Sequence, residues 1–521
     1  MYKEKVYKEK VYKEEMYKKE MHTKEMHQKE VHKVSKVNVS QCTTAEHDTS
    51  QDGLPQQQGI AFEDHAPGFE LKVTALPELV TGRHTPDPLR FAFDNKASAH
   101  AGGSQQPISP DLFQSQFENV LLAAEKPANR CLYVHIPFCR VRCTYCNFFQ
   151  HAASASLIEE YFDALVLELK MKAAQPWTQA APFQAVYVGG GTPTDLTARQ
   201  IARLGQLIRQ YFPLTNDCEI TLEGRINRFD DALFDAALEG GFNRFSFGVQ
   251  SFNTQVRRKA KRLDDREAVL TRIQTLSARN DAPIVIDLLY GLPYQTMNVW
   301  AQDLTDFLDC GAHGVDLYQL IPMGSTPMMD LVANQRLPPP ADTASKAGMF
   351  ELGVQMMDKH HLHRLSVNHW ARDNRERSLY NSLAKTSAEV LPLGAGAGGH
   401  VGGISLMQCR QLPSYFNAVR QGQHPVAMMM TMSPNAAVHA SIKAGFDRGA
   451  LSEKALNRAA GWDAFRWCHP LFEVWQRNGL VNVQDSYLTL TLAGAFWSVT
   501  LAQGLIQVME QALTGNERLT A

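Results

Sequence analysis

The chain has 521 residues, 44% hydrophobic and 20% charged, with 52 Lys and Arg against 54 Asp and Glu, a net charge of −2. At roughly 100–200 residues per domain this length predicts two to four domains. The charge balance excludes a globally basic protein built for nucleic acid or a membrane surface. No apolar run approaches the ~18 residues of a membrane span, and the Lys/Glu-rich start lacks the apolar core of a secretion signal. A cytoplasmic location is therefore expected, without membrane insertion and without nucleic acid.

Residues 1–33 are a five-residue repeat that runs from Met1-Tyr-Lys-Glu-Lys to Val31-His-Lys. A period of five turns the apolar pair by about 140° at each repeat, so no fixed apolar face forms. The repeat carries +3 and leaves −5 for the rest. With the polar residues 34–66 it reads as a disordered tail and linker. Residues 67–129 read as an N-terminal extension, with order from Phe69–Thr74, a soft stretch at Lys96–Pro110 and an amphipathic helix over Asp111–Glu125.

From Cys131 short β-branched or aromatic runs alternate with amphipathic segments. The expected strands are Leu132–Ile136, Ala185–Val188, Glu219–Leu222, Arg244–Val249, Ile284–Leu288 and Val315–Leu320. Helices are expected over Leu157–Met171, Thr197–Tyr211, Asp231–Leu238, Asp265–Ala278 and Val299–Leu308. Such alternation predicts an α/β fold with a parallel sheet, here a partial (β/α)6 barrel over residues 130–340. Functional groups should then sit at the C-terminal strand ends. Residues 341–521 read as a small, mainly helical substrate-covering region. It contains a helix at Asp342–His361, a Gly-rich run at Leu391–Met407, helical residues Asp447–Asn478 and a winged-helix-like end.

The first strand runs into Cys139-Arg-Val-Arg-Cys143-Thr-Tyr-Cys146. The chain has nine cysteines, and this tight group of three argues for a cofactor rather than a disulfide framework. Three thiolates spaced C-x3-C-x2-C can hold three irons of a [4Fe–4S] cluster and leave the fourth open for chemistry. Arg140 and Arg142 would favour the thiolates. The alternative is structural zinc with Cys131 or His135 as fourth ligand. Cys131 lies at the far end of the strand, however, and zinc knuckles favour paired C-x2-C elements.

This cysteine spacing resembles the signature of the radical SAM superfamily. The resemblance implies that S-adenosylmethionine (SAM) binds the open iron and is split by one electron to give a 5′-deoxyadenosyl radical. It is strong over about 130–330 and looser over 340–500. Within the superfamily the chain is similar to the oxygen-independent coproporphyrinogen III oxidase branch. That likeness implies SAM contacts at Tyr133, Tyr145, Gly190, Gly191, Thr192, Glu223, Gln250, Arg262 and Asp287. It also implies catalytic places for Tyr133 and Gln319, and two SAM molecules per site. The run Leu393-Gly-Ala-Gly-Ala-Gly-Gly-His400 resembles the loop that lines the second SAM and the substrate.

Three relatives compete within that branch. The oxidases carry a further cysteine where this chain has Phe148. Heme chaperones show Glu-Ala-Asn-Pro-Gly and H-N-x-x-Y-W, where this chain has Glu223-Gly-Arg225 and Ser366-Val-Asn-His369-Trp370. The Glu-Gly-Arg turn, Leu317-Tyr-Gln-Leu320, Gly324-Ser-Thr-Pro327 and the Gly-rich loop resemble heme-utilization radical SAM proteins. That resemblance implies a methyltransferase that opens heme anaerobically to a linear tetrapyrrole and releases iron. Its electron donor would be a flavodoxin or ferredoxin. His135, His369 and His400 are candidate iron ligands or proton donors, and Arg225 and Arg364 candidate propionate partners. Met428, Met429, Met430 and Met432 could make soft contacts to the ring face, but are read first as core packing or a flexible lid.

Overall fold

The computed structural model describes residues 70–96, 101–102, 105–123, 129–324, 326–386 and 388–514. The repeat, its linker and Ser325 of the Gly-Ser-Thr-Pro segment lie outside these residues.

Six parallel strands form in the expected order. They are β1 (Arg130–Ile136), β2 (Phe183–Gly190), β3 (Leu214–Gly224), β4 (Arg244–Gln250), β5 (Ile284–Tyr290) and β6 (Gly314–Gln319). The returning helices are α1 (Ala155–Ala173), α2 (Ala198–Tyr211), α3 (Asp231–Gly240), α4 (Arg266–Arg279) and α5 (Met297–Asp309). Each begins where a Ser, Thr or Asp side chain can accept a free backbone N–H. Ser154, Thr197, Asp230, Asp265 and Thr296 do so. Thr197 and Gln200 cap each other's backbone reciprocally.

Strand alternation creates two different faces. On one face Leu132, Val134, Ile136, Val186, Val188, Ile220, Leu222, Phe245 and Phe247 join the core beneath the helices. On the other face Tyr133, Tyr187, Glu223, Ser246, Asp287 and Asp316 occupy the opposite parity. The strands are thus apolar outward and polar inward, the pattern of a partial (β/α)6 barrel with a working lumen.

The sheet continues past residue 340. Antiparallel β7 (His369–Ala371) covers the β6 edge, with His369 opposite Asp316. At the other edge β8 (Glu389–Leu393) lies parallel to β1, with Leu391 opposite Leu132. A meander follows through β9 (Gly398–Val401), β10 (Ile404–Gln408) and β11 (Val426–Thr431). The stretch expected only to be Gly-rich is therefore largely strand. Gln106–Pro107, within the expected soft stretch, pairs with β11. Met429 is in the core, whereas Met428 on the opposite parity is exposed.

The expected helix over Asp447–Asn478 is broken into shorter pieces. Ala436–Arg448 ends at Gly449, and Glu453–Ala460 ends at Gly461. Both glycines have left-handed φ, +82° and +80°, the conformation that ends a helix without a Cβ penalty. A small sheet of Ala450–Ser452, Tyr487–Leu490 and Val481–Gln484 packs with Ala436–Arg448 and Ala464–Arg477. The barrel and this C-terminal part lie in one unit. No helix among the described residues is long and apolar enough to cross a membrane.

Trp475 is fully buried, and its Nε1–H donates to the Val80 carbonyl at 2.8 Å. It locks the N-terminal extension to the C-terminal helices. Trp475→Ala should cost about 3–5 kcal/mol and lower the thermal unfolding midpoint by several degrees. An unchanged midpoint would contradict this tie.

Candidate active site

The cysteine loop leaves the C-terminal end of β1 and is fastened on every side. Phe138–Cys139 pairs with His151–Ala152. Gly191 N–H donates to the Ile136 carbonyl at 2.8 Å. A Cβ on Gly191 would lie 2.5 Å from the Phe138 carbonyl oxygen, so the turn after β2 needs bare backbone there. Arg225, after β3, donates to the Val141 carbonyl at 2.8 Å. The Thr144 hydroxyl donates to the Lys259 carbonyl at 3.2 Å, and Met328 N–H donates to the Thr144 carbonyl at 2.7 Å. Segments that follow four different strands therefore fix one loop.

The sulfurs already sit among donors. The Thr192 hydroxyl donates to Cys139 Sγ and Phe148 N–H to Cys146 Sγ, both at 3.3 Å. Burial pushes the Cys143 thiol up, but the Arg262 and Arg225 guanidiniums more than reverse this and hold it below the usual thiol range. Arg262 also donates to the Tyr145 hydroxyl and to the Gly248 carbonyl, both at 2.9 Å. Every cysteine among the described residues is free. Among the described residues, no group of three or more His, Cys, Asp or Glu side chains is already gathered around one point.

A second group lines the lumen. The Tyr133 ring stacks with Tyr187 and Tyr380, centroids 6.4 and 6.2 Å away. Helix Leu379–Ala384 closes the floor against Cys131 and Ala185. A Cβ on Gly189 would meet Glu223 Oε2 at 2.5 Å. Burial pushes the Glu223 carboxyl up to about 7, against hydrogen bonds from the Gly190 amide and Tyr187. Burial, then the Asp316 and Glu223 charges, push Asp287 up to about 8. Both side chains are half-buried because they face an enclosed lumen rather than bulk water. Near neutral pH Asp287 is mostly protonated and Glu223 about half so, and the protonated forms can donate hydrogen bonds.

The named residues thus fall into two groups and one outlier. Tyr145, Thr192, Arg262 and the three cysteines gather at the loop, with Gly190 and Gly191 at the turn beside it. Tyr133, Glu223 and Asp287 face the lumen. Gln250, at left-handed φ of +73°, folds its amide back over Gly248 beside Arg262. Gln319 shares the parity of Val315 and Leu317, on the helix side of β6, opposite Tyr318. Its Oε1 is buried without a hydrogen-bond partner. Tyr187, Asp316, Tyr318 and Tyr380 were not singled out in the sequence. For Tyr187, Asp316 and Tyr318 the available signal was strand alternation.

The candidate histidines and arginines are mostly engaged. His369 Nδ1 lies 2.8 Å from Asp316 and Nε2 3.1 Å from Glu376. Glu376 also takes Arg244 at 2.9 Å, all fully buried. His400 Nε2 lies 2.6 Å from the Ala388 carbonyl. His135 Nδ1 lies 2.9 Å from the Tyr133 hydroxyl, and burial lowers its pKa to about 4. Arg364 stacks on Trp370 and donates to the Val367 carbonyl at 2.7 Å. Arg225 is half-exposed beside the cysteine loop.

The Gly-rich loop after β8 packs on the cysteine loop. Gly394 has φ +93°, and a Cβ there would strike the His135 carbonyl. Its N–H donates to Glu168 at 2.8 Å, and Glu168 is paired at 2.7 Å with Lys172, both fully buried on α1. Lys172 donates to the Pro392 carbonyl at 2.7 Å. Gln150, just past the cysteines, lies against Gly396.

The sequence pattern described as the Radical SAM superfamily matches residues 133–306. The chain is 36% identical over 405 residues to anaerobilin synthase of Escherichia coli O157:H7, covering 78% of this chain and 90% of that protein. It is 28% identical to the heme chaperone HemW of Bacillus subtilis (strain 168), covering 56% and 76%. The solved coproporphyrinogen III oxidase (HemN) of Escherichia coli, itself described as a radical SAM enzyme, superposes with a TM-score of 0.65. That alignment has 20% identity and covers 79% of this chain and 97% of that one.

Burial alone would lower the His369 pKa, but Asp316 and Glu376 overcome it and raise it to about 9. A raised His pKa gives stability that is complete below about pH 6.5 and lost as pH rises through about 9. The stability gap between wild type and His369→Gln should therefore shrink by about 3 kcal/mol between pH 6 and pH 9.5. Denaturant titration across that range checks this; a pH-independent gap would contradict it.

Proposed function

The chain belongs to the radical SAM superfamily, in the coproporphyrinogen III oxidase-like branch with the heme-utilization proteins, and we propose that it degrades heme without oxygen. It is a radical SAM enzyme, and its family implies a [4Fe–4S] cluster and SAM. The residues fit such a group. Three unpaired thiols share one pinned loop, two of their sulfurs accept hydrogen bonds, and two guanidiniums favour the third as thiolate. Cys139, Cys143 and Cys146 would hold the cluster. When bound, the cluster and two SAM molecules supply a carbon-centred radical and a methyl group.

The chain's own residues orient and enclose. Arg262 sets the Tyr145 hydroxyl beside Cys143. Gly190, Gly191 and Thr192 let a small ligand approach the backbone. Glu223, Gln250 and Asp287 offer hydrogen bonds to a nucleoside, and protonated Asp287 can give one as well as take one. Tyr133, Tyr187 and Tyr380 provide stacked rings suited to a flat tetrapyrrole. Tyr318 faces the same lumen, whereas strand parity sets Gln319 on the helix side of β6 with its Oε1 buried. Arg225 stands ready for a propionate; Arg364 is already committed to the core. The C-terminal region, from about residue 341, covers the substrate. The reduced thiols agree with a cytoplasmic enzyme fed by a flavodoxin or ferredoxin.

The single observation that carries this reading is the likeness to anaerobilin synthase along 90% of that protein. The likeness to a heme chaperone favours a second reading, a heme carrier. Against it, His369, next to Trp370, has Asp316 2.8 Å from one ring nitrogen and Glu376 3.1 Å from the other.

Anoxically reconstituted protein mixed with heme, SAM and a low-potential reductant should lose the heme absorption band and yield a methylated linear tetrapyrrole by mass spectrometry. A stable bound-heme spectrum under those conditions would favour the carrier. Replacing any one of Cys139, Cys143 and Cys146 with Ala should abolish iron–sulfur absorption and turnover together; full turnover in one variant would contradict the ligand assignment. Asp287→Ala should weaken SAM binding by about tenfold, the loss of one or two hydrogen bonds, measured by equilibrium dialysis. Unchanged affinity would remove Asp287 from the site.

A further inference from the structure

The sheet face that lines the lumen does not stop at β1. On the added strands Leu391, Val401, Leu406 and Met429 turn into the core on the helix side. Strand alternation sends their neighbours to the lumen side. Val390 confirms the parity, packed there with Cys131, Ala185 and Tyr133. Cross-strand register then sets two rows at fixed heights. The lower row runs Cys131, Val390, His400, Ser405, Met430, each opposite the next. The upper row lies two residues along each strand, nearer the cysteine loop. It runs Tyr187, Tyr133, Pro392, Gly398, Met407, Met428.

The upper row passes from two stacked rings over a proline and a bare glycine to two thioethers. None of these side chains is charged, so the row forms a shallow apolar shelf. At about 4.8 Å between strands, Met407 lies about 14 Å along the sheet from Tyr133. Met428 is 45% exposed although it sits on an inner sheet face, and Met407 and Met430 are half-buried. Flexible thioethers adapt well to the face of a ring. The lower row faces a cation. Lys443, on the helix Ala436–Arg448, is half-buried, and no carboxylate among the described residues pairs with it. Burial lowers the pKa of His400 and of His439, and the Lys443 charge lowers both further. The ammonium therefore stands beside the lower row, at the floor. A half-buried cation left without a counter-charge favours an anionic guest.

We propose that this shelf seats the tetrapyrrole, its flat ring lying across Met407 and Met428 and a carboxylate at its edge taken by Lys443. The proposal rests on the heme reading above and carries the ring outward from Tyr133 onto the added strands. Glu223 and Asp287, farther round the barrel, are then left for SAM. The thioethers set the plane of the ring, and the ion pair sets its rotation in that plane. With the carboxylate edge at the floor, the opposite edge points up toward the cysteine loop.

The test titrates full-length, cluster-reconstituted protein, without reductant, with heme and with heme dimethyl ester. The ester has the same ring and no free carboxylate, and Soret absorbance reads the binding of both. Met407→Ala/Met428→Ala should weaken both ligands about tenfold. Met428→Gln, at an exposed position, should weaken both by a smaller factor and decides the matter if the double variant does not fold. Lys443→Gln should weaken heme about tenfold and leave the ester unchanged. Cluster absorption and SAM affinity should match wild type in the folded variants, which separates a lost contact from a damaged fold. Wild-type heme affinity in the methionine variants, or equal loss of heme and ester in Lys443→Gln, would overturn the shelf. Discrimination against the ester that survives Lys443→Gln but disappears in Arg225→Gln would move the carboxylate to the rim and overturn the Lys443 anchor. Wild type that binds heme with these variant effects but never opens it would support the shelf and defeat the heme-degrading reading. Wild type that binds no heme would defeat both.

Discussion

Three thiols on a short loop must be held apart and rigid, and most of the site follows from that constraint. Beyond the short pairing of Phe138–Cys139 with His151–Ala152, this loop has no helix or sheet of its own to fix it. Here the fixing comes from outside: the Gly191 amide, the Arg225 guanidinium, the Lys259 carbonyl and the Met328 amide each grip a different point. Every grip originates from or just beyond a different part of the barrel. The barrel is thus a device for bringing distant residues to one rim, which is why α/β barrels place chemistry at the C-terminal strand ends.

The same economy of position explains the buried charges. Ion pairs in a protein interior are weak grounds for stability, because desolvation opposes attraction. Two buried networks are nevertheless present. Glu168 and Lys172 hold the Gly-rich loop through Gly394 and Pro392. Arg244, Glu376, His369 and Asp316 brace the lumen near its base. Each fastens a backbone segment from the C-terminal third onto the barrel. The charged groups act as fasteners, and the neutral tendency of Glu223 and Asp287 keeps the lumen itself suited to an uncharged or zwitterionic guest.

The barrel was legible because local periodicity coincides with tertiary burial there. Leu132, Val134 and Ile136 alternate with Tyr133 and His135, and the helices between strands begin at recognisable caps. The cysteine spacing was legible because its chemistry is local. What lay hidden was non-local or glycine-coded. β8 pairs with β1 across some 260 residues of chain (Leu391 opposite Leu132), and glycines in the following turn blur the period-two pattern. Gly449 and Gly461 break what reads as one helix into three elements. His369 was open to reading as an iron ligand or proton donor because neither Asp316 nor its register with β6 can be seen from its own neighbourhood. Gln319 was named from a motif, while strand parity sets it on the face opposite Tyr318.

The account stands on iron bound at Cys139, Cys143 and Cys146 with one iron open to SAM. Electron paramagnetic resonance of the anoxically reconstituted, reduced protein tests that directly. The account predicts a reduced-cluster signal whose position shifts when SAM is added, in protein holding about four irons and four sulfides. A colourless, silent protein, or a cluster signal indifferent to SAM, would contradict it.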